Sequence, residues 1–133
     1  MDDYLRRWLI LALNDLRSAR HEASLPEDEM VTSSVCFHSQ QAAEKFLKAY
    51  LVARGVSFGR THNIQHLIRL CSKEDPEFSS VKAGRLTYYA VQARYPDEFY
   101  IPTVDEAREA LRLAEGIKDF VLMKLGVSEE EIA

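Results

Sequence analysis

The spacing of its apolar residues restricts this chain more than any other feature. Leu5, Leu9, Ala12, Leu13, Leu16, Ala19 and Ala23 recur every three or four positions. At about 100° per residue they fall on one stripe of an α-helix. Arg6, Arg7, Asn14, Arg17 and His21 lie opposite, and Trp8 sits at the stripe's edge. The same period returns at Val104, Ala107, Leu111, Ala114, Ile117, Val121 and Leu125. No segment alternates apolar and polar residues as a half-buried strand does. The pattern predicts an all-α, up-and-down four-helix bundle with an additional short helix.

Turn and cap residues divide the chain. Ser24-Leu-Pro-Glu27 reads as a helix start, with Ser24 as cap, Pro26 in the first turn and Glu27 closing a capping box. A second helix of about 25 residues would run from there to Gly55, whose missing Cβ suits a helix end. Thr61 or Asn63 caps a short third helix carrying Ile64, Leu67, Ile68 and Cys71. Pro76 interrupts it. Phe78, Val81, Leu86 and Tyr89 predict a fourth helix that fails near Tyr95-Pro96. Thr103 and Glu106 form a second capping box, opening a last helix that Gly126 ends.

With 133 residues, 47% of them hydrophobic, the chain forms one domain, 1–133, with a sizeable core. A net charge of −4 argues against a broadly basic nucleic-acid surface, though not against a local basic patch. Asp2 and Asp3 carry the wrong charge for a signal peptide. No apolar run approaches the ~20 residues of a membrane span, and the expected location is cytoplasmic. Cys36 and Cys71 are isolated and read as buried thiols rather than zinc ligands or a disulfide. His62 and His66 are four apart, but no third metal ligand is near. Neither a metal nor a cofactor is expected.

The second helix carries two apolar sectors. Counting by angle, Val31, Val35, Ala42, Ala43, Phe46, Leu47, Ala49 and Tyr50 form the core face. Ser34, His38, Gln41, Lys45 and Lys48 form a polar stripe beside it, and Phe37 and Leu51 lie beyond that stripe. A simple surface helix has one apolar stripe and a broad polar back. A second sector implies cover by another helix or another subunit, with the polar stripe lining a groove. The plainer alternative has Lys45 and Lys48 solvated and His38 satisfied at an edge.

"FHSQQAAEKFLKAYL", "THNIQHLIRLC" and "YYAVQARYPD", in that order and spacing, resemble the HEPN domain. The resemblance runs from about Tyr4 to Leu125. It implies a bundle of four main helices plus a short one, and commonly a homodimer or a complex. Small members of the family are often paired with a minimal nucleotidyltransferase in toxin–antitoxin systems. Proposed activities are nucleotide binding and metal-independent RNA cleavage.

The cleaving branch carries an arginine followed, after four to six residues, by a histidine near the start of the last long helix. A histidine titrates near neutrality and can take a ribose 2′-OH proton, while arginine stabilises phosphate charge. This chain has no histidine after His66, so the run from Arg94 to Tyr100 lacks that partner. Arg60 and His66 match the spacing at the wrong place. No catalytic residue is therefore assigned, and enzymatic activity stays open.

His38, Gln41 and Lys45 match the family's second-helix motif. They suit either a groove in which Lys45 meets a phosphate oxygen, or a polar network tying that helix to the loop "RYPD". Arg94 and Asp97 suit either a phosphate clamp or a turn with Asp97 accepting backbone donors. Tyr88, Tyr89, Tyr95, Phe99 and Tyr100 could stack a base, or pack in the core or a dimer interface. Three readings follow: a nucleotide- or RNA-associated module, a non-catalytic interaction module, and a ribonuclease with a non-standard base such as His38.

Overall fold

A computed structural model describes residues 1–90 and 99–133. Its helices are α1 (Asp3–Ala23), α2 (Thr32–Ala53), α3 (Ile64–Glu74), α4 (Val104–Leu125) and α5 (Glu129–Ile132). Two 3-10 turns, Pro76–Ser80 and Leu86–Tyr89, stand between α3 and α4. There is no strand among the described residues, and the molecule is an all-α helical bundle.

α1 forms as its periodicity demands. Leu5, Leu9, Ala12, Leu13, Leu16 and Ala19 are buried. The Asp2 carboxylate accepts from the Leu5 N–H at 2.8 Å, satisfying one of the donors a helix start leaves open. Ser24 closes this helix instead of opening the next: its hydroxyl donates to the His21 carbonyl. Pro26–Glu29 is a separate turn, with Glu29 N–H and Met30 N–H both donating to the Pro26 carbonyl. The second helix therefore begins at Thr32, later than the capping signal suggested. Tertiary partners set this start. The Val31 N–H donates to the Glu22 carboxylate on α1, and the Thr32 hydroxyl donates to the Pro102 carbonyl at 2.6 Å.

α2 ends where its glycine predicts. Gly55 has φ +69°, Val56 N–H reaches the Leu51 carbonyl, and Gly55 N–H reaches the Val52 carbonyl. Together these make a Schellman motif. Asn63 is the cap of α3, accepting from the His66 N–H at 2.9 Å. The capping box of α4 is present in both halves, through Thr103 and Glu106.

The fourth helix expected over Phe78 to Tyr89 is absent, replaced by the two short 3-10 turns. Gly84 explains the break. Its φ of +52° lies in left-handed space, and a Cβ there would stand 2.6 Å from Leu113 Cδ1. Phe78 still reaches the core, where it is fully buried against Tyr50 and Phe120. Its periodicity recorded burial correctly while the backbone took another path.

α2 is the central element. It packs on α1 and on α4, and also on α3 and the Leu86–Tyr89 turn. That placement accounts for its two apolar sectors. Leu51 is fully buried within this chain, and Phe37 is half-buried. Val31, assigned to the core face, is exposed because it precedes the helix as its cap.

α5 is a short tail held down by charge. Arg20 of α1 makes ion pairs to Glu115 (2.6 Å) and to Glu129 (2.8 Å). Lys118 touches both carboxylates, at 3.2 and 3.3 Å. Arg6 donates to the Glu131 carbonyl, and Ile132 is buried.

Candidate functional site

Two carboxylates organise the polar stripe of α2, and each holds one histidine and one lysine. The first is Asp15 of α1. Its Oδ1 lies 2.9 Å from His38 Nδ1, and its Oδ2 lies 2.5 Å from Lys45 Nζ. His38 and Lys45 are two turns apart on α2, so both reach one carboxylate across the α1–α2 seam. A carboxylate on Nδ1 fixes the orientation of the ring and leaves Nε2 without a hydrogen-bond partner among the described residues. Asp15 thus presents His38 in a set orientation beside a balanced cation. The site is partly open: the His38, Lys45 and Asp15 side chains are 30%, 24% and 14% exposed.

The second carboxylate is Glu44 of α2. It lies 3.0 Å from Lys48 Nζ and 2.8 Å from His62 Nδ1, and it accepts from Gln40 Nε2 at 3.1 Å. This centre is closed at its carboxylate and its lysine, while the His62 side chain stands 63% exposed. The Lys48 and Glu44 side chains are only 8% and 5% exposed, and Gln40 is fully buried. The Lys48 ammonium also sits 5.3 Å from the centroid of the Phe58 ring. Gln41 belongs to this second neighbourhood, since its Nε2 donates to the Gln40 side-chain oxygen at 2.7 Å.

The structure therefore brings His38 and Lys45 together on one carboxylate and ties Gln41 through Gln40 to the other. Lys48, read as part of the open stripe, is buried. Arg94 and Asp97, the other candidates, lie outside the described residues, as does Tyr95. Sequence reasoning missed Asp15. It borders the apolar stripe of α1, next to Leu16 and four before Ala19, and such an edge position faces a neighbouring helix. His62 does not share a helical face with His66, because it precedes the α3 cap. Among the described residues no group of three or more His, Cys, Asp and Glu could hold a metal ion.

A separate aromatic cluster stands at the start of α4. The Tyr88 ring meets Tyr89 and Tyr100 edge-on, and the Arg85 guanidinium lies 5.0 Å from the Tyr88 centroid. Glu106 accepts from both Tyr89 and Tyr100. The Tyr100 hydroxyl holds the Glu106 carboxyl below its usual range, and burial pushes the Tyr89 hydroxyl up. Tyr89 packs in the core, whereas Tyr88, Phe99 and Tyr100 are exposed.

Cys36 and Cys71 are buried free thiols, and burial pushes both up to about 12. They are protonated and inert near neutral pH. No described helix is long and apolar enough to cross a membrane.

No curated protein and no solved structure matches this chain. The model of the HEPN domain matches residues 5–125. That span takes in α1 to α4 and both carboxylate centres. The bundle, the polar motif on its central helix and this match converge: the chain belongs to the HEPN domain family.

Proposed function

We propose that this HEPN-family chain is a nucleotide- or RNA-associated component of a toxin–antitoxin or nucleotidyltransferase-coupled module. In this reading it acts as a homodimer or beside a minimal nucleotidyltransferase. The ligand is held at the α1–α2 seam by His38, Gln41 and Lys45, with Arg94 and Asp97 contributing from their loop. One observation carries this reading: Asp15 orients His38 by its Nδ1, while His38 stays partly exposed and Lys45 stands on the same carboxylate. A phosphate arriving there competes with Asp15 for Lys45 and meets the outward edge of His38. Titrating ATP, GTP and a short single-stranded RNA against wild type and Lys45→Ala tests it. Saturable binding weakened in the variant is expected. Absence of binding by either protein, alone and with its natural partner, removes the reading.

The same dyad favours a second reading, a metal-independent ribonuclease with His38 as base. An aspartate on Nδ1 is the arrangement that prepares Nε2 to take a proton. Cleavage in chelator that leaves a 2′,3′-cyclic phosphate and disappears in His38→Ala supports it. Undiminished cleavage in that variant rejects it. A purely docking role, with no ligand at the seam, is what silence in both assays leaves.

A further inference from the structure

A cleft of about 340 Å³ opens between the Leu86–Tyr89 turn and the first turns of α4. It is independent of the Asp15 seam and shares no residue with it. Its floor is apolar, built from Leu86, Ala110 and Leu113. Gly84 keeps the wall close, because a Cβ there would collide with Leu113. Beside the cleft the exposed rings of Tyr88 and Tyr100 meet Tyr89 and Glu106 of its lining and extend the apolar surface. Single exposed apolar residues need no explanation, but a patch continuous with a cleft marks a contact site.

The rim decides what fits. Asp105, Glu106 and Glu109 line it against one cation, Arg85. Arg85 lies 3.7 Å from Glu106, and Glu109 is paired with Arg112. Asp105 is exposed and makes no ion pair among the described residues. The α4 dipole accounts for acids in the first turn, Asp105 and Glu106, but Glu109 lies a turn further on. Such a rim repels phosphate and attracts ammonium or guanidinium groups. At this size the cleft sits near the small end of ligand pockets, enough for one large side chain.

We propose that this cleft docks a segment of a partner protein that inserts an apolar side chain flanked by lysine or arginine. The apolar floor supplies the anchor, and the rim selects the flanking charge. The test titrates the isotope-labelled full chain with two peptides, acetyl-Lys-Phe-Leu-Lys-amide and acetyl-Glu-Phe-Leu-Glu-amide, following backbone amide shifts at millimolar concentrations. The basic peptide should move Gly84, Ala110 and Leu113 saturably, and bind about fivefold or more tightly than the acidic one. Glu109→Lys, outside the first turn of α4, should erase most of that preference. Asp105→Lys should do the same, with unfolding temperature confirming that each variant is folded. Equal shifts from both peptides, no shifts at these amides, or stronger shifts from ATP or a short RNA would each overturn the proposal.

Discussion

Asp15 and Glu44 hold the same partners, a histidine by Nδ1 and a lysine by Nζ, yet they stand in different surroundings. Glu44 joins its lysine within one helix and is sealed by the packing around α2. Asp15 reaches across from α1 to a lysine that is 24% exposed against 8% for Lys48, although the histidine on Glu44 is the more open of the two. Two charges taken out of water must compensate each other fully, so Glu44 and Lys48 hold each other within α2, while Gln40 and Glu44 tie that helix to His62 before α3. A carboxylate at a seam loses less solvation, so the Asp15 centre holds its partners less tightly, as the proposed ligand exchange requires. The same two kinds of interaction are therefore buried around one lysine and partly open around the other.

Removing the sealed carboxylate is the strongest way to break this contrast. Glu44→Gln leaves Lys48 charged and buried without a counter-ion, and should cost roughly 3–5 kcal/mol in urea unfolding. Glu44→Leu combined with Lys48→Met should recover much of that loss, because an apolar pair removes the desolvation problem. A loss as small as that of an exposed pair would show that the centre hydrates, and the contrast would fall.

Asp15→Ala should cost less, about 1–2 kcal/mol, since His38 and Lys45 can turn towards water. Its signature is separate from stability. The His38 ring should lose its single tautomer, read from imidazole nitrogen shifts, whereas in Glu44→Gln that ring should keep it. Equal destabilisation by the two substitutions would sink the distinction between them.

The charged clamp on α5 extends the comparison to pH. Hydrogen bonds from Arg20 hold the Glu115 and Glu129 carboxyls below their usual range. Lowered carboxylates contribute stability that is complete above their unfolded value, about 4.3, and is lost as pH falls through the folded one. Unfolding midpoints should therefore drop on acidification from about pH 5 to about pH 3, with a shallower drop in Arg20→Met. Identical slopes would show that the clamp contributes nothing.

The smallest effect belongs to the exposed pair Glu109–Arg112 on α4. Arg112→Gln should leave thermal unfolding unchanged within error, since exposed ion pairs of neighbouring helix residues are screened and mobile. A clear fall in melting temperature would mean that exposure does not sort these centres.

Much of the fold was legible because it is periodic. The stripes of α1 and α4, the glycine end of α2 and the Thr103–Glu106 capping box follow from residues within a turn or two of one another. The start of α2 was not legible. Its partners, Glu22 and the Pro102 carbonyl, are distant in sequence, and a local capping signal at Ser24 competed with them. Phe78 and Leu86 showed their burial, but only the left-handed backbone at Gly84 and the two separate 3-10 turns revealed that no helix joins them. At the site His38, Gln41 and Lys45 were visible as one stripe, while Asp15, on another helix, was not. Nor did spacing distinguish the sealed Lys48 from the open Lys45.

By itself the sequence determined an all-α domain, the faces its long helices bury, most of their ends and membership in a family carried by short motifs. These are local properties, set by the 3.6-residue period and by caps that act within one turn. Tertiary structure alone decided which charges meet and how much water they keep. An ion pair across a helix seam depends on where two distant backbones come to rest, and its role depends on what covers it. Asp15 and Glu44 differ little as residues, and the packing around α2 makes one of them a candidate binding centre and the other a structural one.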